Sequence, residues 1–308
     1  MNHSIVVVGS ANIDMIAQVD QFPRPGETVG NATFSQAYGG KGANQAVAAA
    51  RAGGHTTFIT CVGQDTFGQA MMQNFAADGL ITDYVLQEDD TPTGTAIILV
   101  NKQGENCIAV APGANYHLTP DHIDASRIAI SAADIVLLQL EIPLETVIYV
   151  VDLAKSLGKK VLLNPAPARL LDDDLLRKLH ILVVNETEAE LIAGQSVGSL
   201  EEVQQAAQVL LNKGPEIIVI TLGAQGAYYA TRREQKMVDA YTVQTIDTTA
   251  AGDVFCGALA AALSRSIKLG EAVKFASAAA ALSTTRLGAQ PSAPTEQAVR
   301  TFLSEREF

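Results

Sequence analysis

Two carboxylates, Asp247 and Asp253, bracket the stretch Thr248-Thr249-Ala250-Ala251-Gly252, and Asp253 runs straight into the apolar segment Val254-Phe255-Cys256-Gly257-Ala258-Leu259. Small residues giving way to a helix bring unpaired backbone N–H groups and the positive end of a helix dipole beside a carboxylate. A carboxylate so placed can take a proton from a hydroxyl while the helix end stabilises a phosphoryl group under attack. An Asp that only caps a core helix has the same local sequence. The rest of the chain must separate the two.

Other residues could join such chemistry. Asn185 and Glu188 form an N-x-x-E pair at a helix start. Three-residue spacing puts both on one face, where amide oxygen and carboxylate could hold Mg²⁺ near phosphates, directly or through water. The same spacing also serves a capping box. Gly39-Gly40-Lys41-Gly42-Ala43-Asn44 opens another helix. It has neither Walker nor dinucleotide-fingerprint spacing. Its amides, with Lys41 and Asn44, could bind sugar hydroxyls, or its glycines could simply allow close packing. The five histidines are scattered and suggest no acid–base grouping, and Cys256 reads as a small buried packer. H-E-x-x-H and G-x-S-x-G are both absent, which removes two common hydrolase classes.

These groups need a scaffold, and 308 residues suffice for one large α/β domain. A net charge of −12 disfavours nucleic-acid and anionic-membrane partners, which require a basic face. Three separated cysteines suit a reduced, cytoplasmic setting. The N-terminus lacks a signal-peptide pattern, and no apolar run approaches membrane-spanning length.

Short apolar runs predict strands over residues 5–8, 57–62, 95–100, 107–111, 135–138, 160–164, 181–184 and 216–221. Between them, helices are expected over 41–51, 144–157, near 172–179, from Glu186, and over 200–212. Regular alternation from about residue 130 predicts a mostly parallel sheet with helices on both faces, a three-layer α/β sandwich. The extended regions of about 12–40 and 91–111 break the alternation and are expected to form a small β-sheet lid on a single domain spanning 1–308. Ligands of open parallel sheets gather beyond the carboxyl ends of the strands. There the sequence places Gly9-Ser10-Ala11-Asn12-Ile13-Asp14, Gln139-Leu140-Glu141, Asn164, Asn185 to Glu188 and Thr221 to Gly226.

Taken together, these motifs resemble the ribokinase branch of the PfkB carbohydrate kinases along essentially the whole chain. Gly-Gly-Lys-Gly-Ala-Asn-Gln-Ala from Gly39 resembles the family's N-terminal signature, and Asp247–Asp253 its C-terminal one. Asn185–Glu188 matches its N-x-x-E motif, and Asn164-Pro165-Ala166-Pro167-Ala168 is a further shared stretch. The resemblance implies ATP-dependent phosphorylation of a sugar's primary hydroxyl, for ribose at O5. Asp253 would be the base and the amides of Ala250, Ala251 and Gly252 the anion hole. Asn12, Asp14, the loop Gly40, Lys41, Gly42, Ala43, Asn44, and Glu141 would hold the sugar. Asn185, Thr221, Leu222, Gly223, Ala224, Gln225, Gly226, Gly252 and Ser277 would line the ATP site, with Asn185 and Glu188 in the Mg²⁺ region. An activating K⁺ would meet the Asp247 carboxylate, the carbonyls of Thr249, Ser283, Arg286 and Gly288, and the Ser292 hydroxyl. The lid would close over the sugar and pair with that of a second subunit in a homodimer. Asn12 and Asp14 on one strand end suit the diol of ribose. Deoxyribose, another pentose or a nucleoside is the alternative substrate, and a non-catalytic sugar sensor the alternative class.

Overall fold

A computed structural model describes residues 3–306. Its strands are β1 (Ser4–Val8), β2 (Asn12–Gln18), β3 (Thr33–Gly39), β4 (His55–Gly63), β5 (Val85–Glu88), β6 (Gly94–Val100), β7 (Asn106–Ala111), β8 (Ile135–Leu138), β9 (Lys160–Leu163), β10 (Ile181–Asn185), β11 (Ile217–Thr221), β12 (Gly226–Thr231) and β13 (Gln235–Asp239). Nine form one sheet in the order β13-β12-β11-β10-β9-β8-β1-β4-β5. It is parallel from β11 to β5, while β12 and β13 add an antiparallel edge.

The central strands are short β-branched runs because both their faces are covered. In β10, Ile181 and Val183 enter the core on one side of the sheet, and Leu182 and Val184 the core on the other. Helices Lys41–Arg51, Ala251–Ser264 and Leu269–Ser283 cover the first side, and helices Leu144–Ser156 and Leu200–Lys213 the second. The expected three-layer sandwich is therefore present.

Several elements differ from the sequence reading. The helix near 172–179 is one turn, Asp173–Leu176, and neither β5, the antiparallel edge β12–β13 nor helices Thr66–Ala77, Pro120–Ala125, Arg127–Ala132, Leu269–Ser283 and Glu296–Ser304 were anticipated. The β11–β12 turn is rich in glycine and reads as loop, and β13 is a mostly exposed edge strand with little apolar pattern.

The remaining strands form a separate four-stranded sheet, β3-β2-β6-β7, in which β2 pairs antiparallel to β3 and parallel to β6. They occupy the two extended regions singled out in the sequence. From β1 the chain runs to β4 on one side, while β8 lies on the other, so the sheet's order reverses at β1. Such a switch point opens a crevice beyond the strand's carboxyl end.

Two helices start at that crevice and cross closely. A side chain at Gly257 would collide with the Gln45 carbonyl and the Ala48 and Ala49 region of helix Lys41–Arg51. Gly42 is equally tight, since a Cβ there would press on the backbone of Gly9 and Ser10. These glycines are needed for close backbone approach. Gly257→Ala should lower stability by about 1–3 kcal/mol through overpacking, despite alanine's better helix propensity. Urea unfolding of the two proteins reads this directly, and an unchanged or raised midpoint would contradict the packing described.

Candidate active site

Asp253 is the third residue of helix Ala251–Ser264 and is almost wholly buried. Its neighbours come from the helix crossing it. Asn44 Nδ2 donates to Asp253 Oδ2 at 3.0 Å, and Gln45 Nε2 donates to Oδ1 at 3.0 Å. Burial raises the Asp253 pKa above the ordinary carboxylate value, and Lys41, Asn44 and Gln45 only partly offset it. A carboxylate raised in this way is better matched to proton abstraction near neutral pH than a free Asp.

Lys41 carries the compensating charge. Burial works against its protonation, but Asp253, Glu141 and Glu188 together hold its pKa above the usual lysine value. Glu188 itself is raised by burial, with the Asn185 amide acting in the opposite direction. Asp14, near the start of β2, is pushed up to about 7, first by burial and then by Glu141 and Asp253. Gly39 on the facing strand has no Cβ, which leaves room for the Asp14 carboxylate.

The amides of the Gly40–Asn44 loop are used differently from the sequence expectation. Lys41 N donates to Glu141 Oε2 at 3.0 Å, Gly42 N to Ser10 Oγ at 3.3 Å, and Ala43 N to the Ser10 carbonyl at 2.8 Å. Asn44 N bonds the Gly40 carbonyl. Glu141 thus caps helix Lys41–Arg51 from the loop after β8, helped by a 2.6 Å bond from the Ser10 hydroxyl. The amides of Lys41, Gly42, Ala43 and Asn44 are already partnered, and Gly42 and Ala43 are buried packing residues. What this loop offers a ligand is side chains: the Lys41 ammonium and Asn44 Oδ1, a buried acceptor with no partner among the described residues.

Asn12 is buried, and its Oδ1 accepts from Asn115 Nδ2 at 2.7 Å. Asn115 also receives the Ala11 amide and donates to the Ala11 carbonyl. Nothing in the sequence marks Asn115, because its partners lie more than a hundred residues away and it belongs to no motif.

Beside Asp253 lies a cavity of about 230 Å³ lined by Lys41, Asn164, Asn185, Glu188, Thr221 and residues 250–253, among others. Ala250 sits in the left-handed region at φ 58°, which turns the chain sharply into the helix. Gly252, in the first turn, has no carbonyl of its own helix to reach. The Ala251 amide differs from expectation, because it donates to the Thr248 carbonyl at 3.2 Å. Cys256 also lines this cavity, and burial lifts its thiol well above the normal range, consistent with an inert packer.

A larger adjoining cavity of about 570 Å³ is lined by Asn185, Thr221, Gly223, Ala224, Gly226, Gly252 and Ser277. Val243, Phe255, Ala280 and Ala281 give it an apolar side that the sequence did not reveal. Ser277 Oγ is buried there without a partner among the described residues. Two expected residues are not among its lining. Leu222 is buried in the core on the sheet's other side, and Gln225 is exposed in the turn.

Asn185 and Glu188 form the reciprocal capping box that their spacing allowed, with Glu188 N donating to Asn185 Oδ1 and Asn185 N to Glu188 Oε2. Both also face the smaller cavity. Asp247 accepts from Thr249 N at 2.9 Å and from Gly288 N at 2.8 Å, joining the two segments expected at a cation loop. Burial would raise Asp247, but the Thr249 hydroxyl and the Gly288 amide outweigh it and keep its pKa low. The Ser283 carbonyl accepts from Arg286 N, and the Ser292 hydroxyl bonds the Ala289 carbonyl within its own turn.

The model of the pfkB family of carbohydrate kinases matches residues 2–296. The chain belongs to that family. Among curated relatives, this pfkB kinase is 44% identical to a ribokinase of Haemophilus influenzae, covering 98% of this chain and 99% of the relative. It is 38% identical to a deoxyribokinase of Salmonella typhi, with coverage of 98% and 99%. Among solved structures it is similar to Arabidopsis thaliana ribokinase complexed with ribose and ATP, at TM-score 0.93 and 33% identity over 100% of both chains. It is also similar to ribokinase from Thermotoga maritima, at TM-score 0.89 and 39% identity over 98% of this chain and 99% of that one.

An Asp14 carboxyl raised to about 7 should titrate near neutrality and lose its charge as pH falls through that point. Carboxyl ¹³C NMR would follow it. A midpoint near the ordinary Asp value of 3.8 would mean that Asp14 does not share a buried site with Glu141 and Asp253.

Proposed function

We propose that this pfkB kinase transfers the γ-phosphoryl group of ATP to O5 of D-ribose, giving D-ribose 5-phosphate. The observation that carries the reading is Asp253, buried at a helix start and facing both the Lys41 side and the helix-end cavity. Asp253 takes the proton of the attacking hydroxyl. The helix start at Ala250 to Gly252 and the Lys41 ammonium stabilise charge developing on the transferred group. Asn12, Asp14, Asn44 and Glu141 orient the sugar, with ionised carboxylates accepting from its hydroxyls. The larger cavity suits the nucleotide, with its apolar side for the base and the unpartnered Ser277 hydroxyl as a polar contact.

Mg²⁺ fits here as a companion of the ATP phosphates. One oxygen of Glu188 is engaged by Asn185, and the other is open to a water of the ion's shell. K⁺ fits the ionised Asp247 and its loop, where Thr249, Ser283, Arg286, Gly288 and Ser292 would complete the oxygen ligands. Bound there, a cation would add positive charge beside the helix start.

The four-stranded sheet acts as the lid over the sugar, as part of a single kinase domain. It carries exposed apolar side chains, including Phe34 at 60%, Ile97 at 54%, Ile108 at 55% and Val110 at 53% exposure. Ile108 and Val110 share one face of the sheet, opposite to Phe34 and Ile97, and exposed apolar sheet surface favours association, so we place a homodimer contact on the Ile108 and Val110 face. Ile108→Lys combined with Val110→Lys should shift sedimentation from dimer to monomer. A wild-type protein that already sediments as a monomer would remove the dimer from the scheme. The three free cysteines suit a reducing cytoplasm.

Identity with a deoxyribokinase favours 2-deoxyribose as the second reading. A site built around Asn12 and Asp14 should discriminate against a sugar lacking one hydroxyl, because a buried acceptor is then left unpaired. A coupled assay over a panel of pentoses, hexoses and nucleosides should give the highest kcat/KM for D-ribose, rising with K⁺. Asp253→Asn should lower kcat by about 100-fold or more. A variant retaining most of its turnover would exclude Asp253 as the base.

A further inference from the structure

Two buried glutamines beside Asp253 have no role in the scheme above. Gln45 and Gln139 are both fully shielded from solvent. Gln139 Nε2 donates to Gln45 Oε1 at 2.6 Å. Gln45 Nε2 donates in turn to Asp253 Oδ1 at 3.0 Å and to Asn164 Oδ1 at 3.2 Å. Asn164 Nδ2 continues to the Val183 carbonyl at 3.1 Å and towards Glu188 Oε2 at 3.5 Å.

The direction of this chain is fixed by chemistry. An ionised carboxylate can only accept, so Gln45 must present its NH₂ to Asp253. Its carbonyl must then accept, so Gln139 must donate. Burying two primary amides is unfavourable unless their bonds are made, and Gln139 Oε1 finds no partner among the described residues. An apolar residue would pack this site without that penalty. Gln139 is also confined, because its Oε1 lies against Gly9, where a Cβ would collide with it.

We propose that Gln45, oriented by Gln139, is a positioning residue that clamps Asp253 Oδ1 and leaves Oδ2 as the oxygen that takes the sugar's proton. Oδ2 meets Asn44, which belongs to the sugar loop and has an unpartnered Oδ1 of its own. Oδ1 meets only the buried amide pair. Neither glutamine touches substrate, and Gln139 acts wholly through Gln45. The inference rests on Asp253 being the base, as read above.

The test compares Gln45→Met, Gln139→Met and the double variant with the wild type in single-turnover phosphorylation of ribose. Gln45→Met should slow the chemical step about 10-fold to 100-fold, as expected for losing a hydrogen bond to a charged group. KM for ribose should change by less than about threefold, because the sugar contacts remain. Gln139→Met should slow the step less, and should add little once Gln45 is gone, as residues acting in series are non-additive. Carboxyl ¹³C NMR should show Asp253 titrating higher in Gln45→Met, since a donor to the ionised form is lost.

A merely structural role predicts the opposite pattern: lower urea midpoints and altered KM with the chemical step intact, and that result overturns the proposal. If Gln45→Met does not fold, Gln139→Met decides alone, by a slower step at an unchanged urea midpoint or by none. If the wild type fails to phosphorylate ribose, the functional reading falls. Failure of the clamp alone shows instead as a wild type that phosphorylates ribose, with Gln45→Met and Gln139→Met turning over as fast.

Discussion

The structure depends on keeping one nearly water-free carboxylate charged. Asp253 cannot be ionised in that position unless donors and a cation reach it, because burial of an unpaired charge is prohibitive. Asn44, Gln45 and Lys41 provide those partners, and all three sit on the first turns of a helix that crosses the Asp253 helix. The crossing needs Gly257, and the seating of helix Lys41–Arg51 on the end of β1 needs Gly42. Packing in the core and charge compensation in the site are therefore one requirement.

The same requirement explains the crowding of acids around Lys41. Asp14, Glu141, Glu188 and Asp253 all act on its proton or on each other's. Glu141 relieves part of this by lying against a helix amide, where the helix dipole favours negative charge. Among the described residues Asp14 has no such partner, and it is displaced to about 7. A small neutral polyol donating hydroxyl protons would suit this arrangement better than another anion would.

Much of this was legible in the sequence where local chemistry decides it. Helix Lys41–Arg51 matches its expected bounds, since an alanine-rich run lies between glycines that cannot continue it. Strand Ile135–Leu138 is likewise an apolar run ended by polar residues. The direction of the loop's amides was not legible, because Ser10 and Glu141 arrive from 32 and 100 residues away. Spacing allowed Asn185 and Glu188 to be either a capping box or a cavity wall, and the fold makes them both. Gln45 stood inside a motif whose glycines carried the visible pattern, and Gln139 beside a more conspicuous Glu141. Their significance arises only from the meeting of β8 with the two crossing helices.

Asn115 gives the junction of the two sheets a mechanical character. It holds both the N–H and the C=O of Ala11, where the chain leaves β1 of the large sheet and enters β2 of the small one. This side chain thus bridges the two sheets at the root of the small one. Any rotation of that sheet about Ala11 would displace each residue in proportion to its distance from the pin. Asn12, bonded to the same Asn115, would scarcely move, while Phe34 and Ile108 farther along the strands would sweep wider arcs. The position where a sugar would first be gripped is the position that such a rotation leaves still.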